Sequence, residues 1–276
     1  MIERRTNPWE GVVAPPEAAR AVKPRRRGLT MVIDKGLGPG ETRDLLVLCA
    51  PFIDYIKLGF GTSLLYGEEL LREKIAEIRR HGVDVYPGGT LLEIAGLKGA
   101  EEAFLERAAA LGFTAVEVSE GSVDLPRSKR RRLIAAAAAA GLRVLSEVGK
   151  KDRSVRMDPD EVVRQVEDDL EWGAEVVIVE GRDSGRGVGV YDDAGAPRGE
   201  LLERILAGVS QPDRLMWEAP IVAQQQFWLS RLGPDVNLGN VQTEDVMTLE
   251  ATRQALRGDT LRAYVHRLAA AGPRDA

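Results

Sequence analysis

The sequence predicts a single (β/α)8 barrel of the TIM type, preceded by an N-terminal arm. Three observations predict it. Short apolar, β-branched runs alternate with longer helical patterns from Leu29 onward. The alternation repeats eight times, which suits a parallel sheet closed on itself. The length of 276 residues suits one such barrel of roughly 250 residues plus short extensions.

Taken in order, the first unit pairs a strand at "LTMVID" (29–34) with a helix over 41–49. The next two pair "IDYIKLG" (53–59) with 68–80, and "VDVYPG" (83–88) with 98–111. Then "TAVEVS" (114–119) precedes 128–140, "LRVLSEVG" (142–149) precedes 159–172, and "EVVIVEG" (175–181) precedes 199–208. "RLMWEA" (214–219) with 221–231 and "DVNLG" (235–239) with 244–256 complete the count. Ser128 reads as an N-cap, and Asp158-Pro159 as an N-cap with proline at the first helical position. Gly82, Gly112, Gly141 and Gly173 each end a helical pattern, where a left-handed residue belongs. The division is therefore an arm at 1–28, a barrel at 29–258 and a C-terminal tail at 259–276. The arm carries Pro8, Pro15, Pro16 and Pro24, and its "RRR" at 25–27 reads as solvated.

Composition narrows the function. A net charge of −5 gives no basic excess for nucleic acid. Apolar runs are too short to span a bilayer, and "MIERRTNPWE" lacks the apolar stretch of a signal peptide. The expectation is a cytoplasmic protein, with homo-oligomers left open. The single Cys49 reads as a buried apolar residue.

In barrels of this kind the chemistry sits where strands end. Four of the eight lysines fall there: Lys35, Lys57, Lys150 and Lys151. Arginine stays charged, whereas a lysine can release a proton when its surroundings allow. Glu117, Glu147, Glu180 and Glu218 close four successive strands, although acids are depleted in buried strands. One alone would read as an ion pair with a lysine. Four in register predict oxygen ligands for Mg²⁺ or Mn²⁺. His81 and His266 lie away from that rim, which argues against a histidine base or a zinc site. The loops "GFGTS", "PGGT" and "GRDSGRG" offer N–H groups and hydroxyls, and with Arg182 they predict a small anionic ligand. "RSKRRR" (127–132) reads as a solvated helix face, and "QQQFW" (224–228) as core packing with a glutamine near the rim.

Nine stretches together resemble the phosphosulfolactate synthase family: "RGLTMVIDKG", "IKLGFGTS", "VYPGGTL", "GFTAVEVSEGS", "LSEVGKK", "VIVEGRDSG", "EAP", "NLGN" and "LRGDT". The resemblance runs from Arg27 to Thr260. It implies the barrel again, and a Mg²⁺-dependent addition of sulfite to phosphoenolpyruvate giving (2R)-phospho-3-sulfolactate, an early step toward coenzyme M. On that implication Lys150 is the general acid, with Lys151 as its substitute and Glu147 orienting the amine. Glu117, Glu147, Glu180 and Glu218 are the candidate metal ligands. Arg182 and Ser184 would bind phosphate or sulfite, Lys35 and Lys57 would neutralise a substrate anion, and Asn237 of "NLGN" would meet substrate. Two alternatives stay open: a noncatalytic stress-related binding protein on the same barrel, and a Schiff-base aldolase using Lys57 or Lys150.

Overall fold

The computed structural model describes residues 8–16, 21–152 and 154–271. Parts of the expected arm (1–7, 17–20) and tail (272–276) lie outside the described residues. Eight parallel strands form one sheet: β1 Thr30–Asp34, β2 Tyr55–Leu58, β3 Asp84–Tyr86, β4 Ala115–Val118, β5 Arg143–Val148, β6 Val176–Val179, β7 Leu215–Glu218 and β8 Asn237–Gln242. Their order is β3-β2-β1-β8-β7-β6-β5-β4. The seam between β3 and β4 is narrowed by two hydrogen bonds, Thr114 N–H to the Val85 carbonyl at 3.1 Å and Val85 N–H to Thr114 Oγ1 at 2.9 Å. The barrel is nearly closed.

The strands are mostly apolar on both faces because each face has its own core, β8 (NLGNVQ) being the exception on its inner face. Val32, Ile56, Val85, Val116, Val144, Val177 and Leu238 pack outward under the helices. Met31, Tyr55, Tyr86, Ala115, Leu145, Ile178 and Met216 fill the interior. This double burial turns the strands into continuous apolar runs. The helices are α1 Pro39–Cys49, α2 Glu68–Arg80, α3 Gly89–Leu97, α4 Glu101–Leu111, α5 Arg127–Ala139, α6 Pro159–Trp172, α7 Gly199–Gly208, α8 Val222–Leu232, α9 Val246–Arg253 and α10 Gly258–Ala271. The four terminating glycines all have positive φ, and Asp158 caps α6 by accepting the Asp160 N–H at 2.9 Å. Among the described residues no helix is long and apolar enough to cross a membrane.

Five expectations need correction. The third unit carries two helices, because "PGGT" opens α3 instead of staying a loop; glycine is a poor helix former, so the start is masked. Residues 259–271, read as tail, belong to α10, which starts at Gly258. Helix α5 starts at Arg127 after Pro126, so Ser128 is inside it. Arg25 is not solvated: it is buried against Asp54, with Nη2 at 2.9 Å from the carboxylate, and ties the arm to the barrel floor beside β2. Arg130 of "RSKRRR" is fully buried, paired with Asp169 of α6 at 2.6 and 2.8 Å.

Candidate active site

At the C-terminal rim the inward positions of seven strands are Ile33, Lys57, Tyr86, Glu117, Glu147, Glu180 and Glu218. The alternation that buries Leu145 and Ile178 inside places Glu147 and Glu180 two residues on, in the same lumen. All four glutamates are at most 1% exposed. Lys57 stands between them. Its Nζ lies 2.9 Å from Glu117, 3.6 Å from Glu147 and 3.7 Å from Glu218. Lys151 approaches Glu147 from above at 3.4 Å. Its N–H is held by the Gly121 carbonyl at 3.0 Å.

The backbone fixes three of the acids. Gly89 N–H donates to Glu117 at 2.8 Å. Gly181 and Arg182 N–H donate to one oxygen of Glu218 at 3.0 and 2.9 Å. Arg182 N–H also donates to Glu180 at 2.6 Å. Arg182 adopts φ +65°, so its backbone rather than its guanidinium serves the ring. Behind Glu147, the Arg130 guanidinium donates to the Glu147 carbonyl at 2.8 Å while it grips Asp169. Asp169→Ala is therefore expected to cost about 3–5 kcal/mol in denaturant unfolding, since it strands a buried guanidinium. A loss below about 1 kcal/mol would refute that role.

Burial favours neutral groups, and neighbouring charges decide which groups escape it. Burial pulls Lys57 down, but Glu117 and Glu147 outweigh it and hold the ammonium well above its ordinary range. Burial pushes Glu117 up against the pull of Lys57. For Glu147, Lys151 and Lys57 together overcome burial and hold the carboxyl at about 2. Glu180 is pushed well up by burial and by the Glu218 and Glu147 carboxylates. Lys151 is raised, chiefly by Glu147. The ring thus holds two ammonium groups, a firmly ionised Glu147 and a Glu180 that favours its protonated form. Tyr86 keeps its phenol proton for the same reason, burial first and Glu117 second.

Several expected residues are elsewhere. Lys150 points outward, to Asp124 at 2.9 Å and the Glu120 carbonyl at 3.0 Å, so it cannot act beside Glu147 from this position. The chain leaves β5 at Val148 and turns at Gly149 (φ +116°), which brings Lys151 rather than Lys150 over Glu147. Asn237 lies at the opposite end of the barrel, where its amide bonds Leu29 N–H and the carbonyls of Asp213 and Leu215 at 2.8–2.9 Å. Lys35 is exposed beyond Asp34, whose carboxylate pairs with Lys74 at 2.6 Å. Ser184 is exposed in a turn. Gln224 braces that loop, donating to the carbonyls of Gly185 at 2.7 Å and Gly195 at 3.0 Å. Tyr86 and Arg130 were not among the expected residues. Alternation from Lys57 across to β3 could have found Tyr86, whereas no local pattern marks Arg130.

The model of the (2R)-phospho-3-sulfolactate synthase (ComA) family matches residues 18–259. The chain belongs to the phosphosulfolactate synthase family. It is 43% identical to phosphosulfolactate synthase of Methanothermobacter thermautotrophicus over 244 residues, 88% of this chain and 94% of that protein. It is 41% identical to the Methanocaldococcus jannaschii protein of that name over 237 residues, 85% and 94% of the two chains. Of solved structures, 3-hexulose-6-phosphate synthase from Salmonella typhimurium shares the fold, with a TM-score of 0.54 at 20% identity, over 87% of this chain and 99% of that one. The chain is thus an enzyme of the phosphosulfolactate synthase family on a TIM barrel.

For this phosphosulfolactate synthase family member the expected four-carboxylate metal site needs revision. Among the described residues no three His, Cys, Asp or Glu side chains are grouped to hold a metal ion. The cause is on view: Lys57 fills the space between Glu117, Glu147 and Glu218. Oε2 of Glu180 nonetheless lacks a hydrogen-bond partner, and the two oxygens of Glu147 meet only the ammonium groups of Lys151 and Lys57, at 3.4 and 3.6 Å. Mg²⁺ commonly binds through one or two carboxylates, completing its shell with water and substrate oxygens. Glu180, with Glu147 beside it, fits that pattern, whereas Glu117 and Glu218 are held by backbone N–H groups as well as by Lys57.

Proposed function

We propose that the barrel mouth joins sulfite to phosphoenolpyruvate in a Mg²⁺-dependent addition, giving (2R)-phospho-3-sulfolactate for coenzyme M formation. Sulfite forms a C–S bond at C3. The C2–C3 π pair moves onto C2 and the carboxylate, and a proton then reaches C2. The observation that carries the reading is Lys151, held protonated 3.4 Å from Glu147 within the rim. It enters the reaction with its proton in place and can deliver it to one face of C2, which sets a single configuration. Lys57 supplies a fixed positive charge below the substrate. A magnesium ion bound at Glu147 and Glu180 would supply stabilisation for the negative charge on the substrate carboxylate.

A Schiff-base aldolase needs an uncharged amine. Lys57 is held charged by Glu117 and Glu147, and Lys150 is turned outward, so neither supports that alternative. Incubation with phosphoenolpyruvate, Mg²⁺ and a panel of nucleophiles, read by mass spectrometry, tests the proposal. The phosphosulfolactate mass is expected with sulfite and is expected to vanish after exhaustive chelation. Adducts formed with other nucleophiles but not with sulfite would overturn the substrate pair. Full activity after chelation would overturn the metal.

A further inference from the structure

We infer that Asn240 is a substrate-contacting residue, aimed into the mouth by a bulge in β8 to hydrogen-bond an oxyanion of the ligand. The inference rests on the anionic substrate proposed above.

Strand β1 pairs with β8 through Thr30 with Leu238 and Val32 with Val241. Two steps on β1 face three on β8, so β8 carries one extra residue. Leu238 and Val241 both pack outward under the helices. The two residues between them, Gly239 and Asn240, therefore fall on the inner side, where a regular strand would place one. Gly239 abuts the interior: a Cβ there would lie 2.8 Å from Met31 Cε. Asn240 N–H is turned to Met31 Sδ at 3.3 Å. Bulges re-aim side chains at barrel rims in this way.

The residue is also strained and unsatisfied. Asn240 has φ +52°, a conformation costly to any side chain, though asparagine tolerates it better than most. Its side chain is 3% exposed, and Oδ1 has no hydrogen-bond partner. Position matters too. Gly239 pairs with Glu218, so Asn240 begins the part of the rim that follows the acidic arc of β4–β7. From β8 to β2 the inward groups are Asn240, Ile33 and Lys57, and Lys57, whose Nζ is shared by Glu117, Glu147 and Glu218, is the cation on this side of the mouth. Turning the amide about its last bond puts its NH2 where Oδ1 now points, ready for a carboxylate or phosphoryl oxygen.

The test compares wild type, Asn240→Gly and Asn240→Asp by calorimetric titration with phosphoenolpyruvate and by thermal melting. Asn240→Gly relieves the strained φ, so its Tm should equal or exceed that of wild type while its Kd weakens at least tenfold. Asn240→Asp keeps the shape, adds repulsion, and should bind more weakly still. An unchanged Kd in Asn240→Gly overturns the inference, and so does a lowered Tm with unchanged Kd, which is a structural role. If wild type ignores phosphoenolpyruvate but binds inorganic phosphate, the substrate reading falls, and the same variants titrated with phosphate decide Asn240. Binding of neither anion by wild type overturns both.

Discussion

Lys151→Ala is expected to lower turnover by about 10²–10⁴, the usual worth of a placed general acid. Lys151→Arg should not restore it, because a guanidinium does not readily give up a proton. Lys150→Ala should stay near wild type. Its ammonium meets the exposed Asp124, and surface pairs of that kind contribute about 0–1 kcal/mol. The pH profile adds a check. Glu147 raises Lys151 above its ordinary 10.5, so loss of this proton should not limit the rate anywhere below that pH. Single-turnover measurements on the three variants decide between the two lysines. Near-normal turnover in Lys151→Ala would remove the acid from this position.

Lys57→Met is expected to destabilise the fold by about 3–5 kcal/mol, since it leaves Glu117, Glu147 and Glu218 facing one another without their shared cation. The loss should depend on pH. Without Lys57 the Glu117 carboxyl, already raised by burial, rises further above the ordinary 4.5, so at this group the folded state binds more protons than the unfolded one. Stability then improves as pH falls from 8 to 5, and the penalty shrinks. In wild type the sign for Glu147 is opposite. Its folded value of about 2 gives stability that is full above 4.5 and is lost as pH falls toward 2. Urea unfolding of both proteins at pH 5 and 8 checks this, and a pH-independent difference would contradict it.

The strands were legible because burial on both faces writes most of them as apolar runs bounded by glycine or a charged residue. The acidic arc was legible for a related reason: a carboxylate two residues past a buried inward leucine or isoleucine can only point into the barrel. Lys151 was not marked by alternation, because it lies past the end of β5 and past the turn at Gly149, and the adjacent Lys150 drew the assignment. Asn240 was not legible either. Regular counting from Asn237 passes through Gly239 to Val241, and only the extra residue in β8 turns Asn240 inward. Arg130 was hidden because one buried arginine in a run of exposed ones leaves no local mark. Its partner Asp169 lies thirty-nine residues away.

Gly121 is buried where the loop after β4 passes the stem of Lys151, and a Cβ there would come within 2.8 Å of Cδ and Cε. A side chain gained at 121 would displace the flexible stem of Lys151 and shift its ammonium relative to Glu147. Over generations the two positions are therefore expected to vary together, and a redesigned β4 loop that keeps glycine there keeps the lysine where it is.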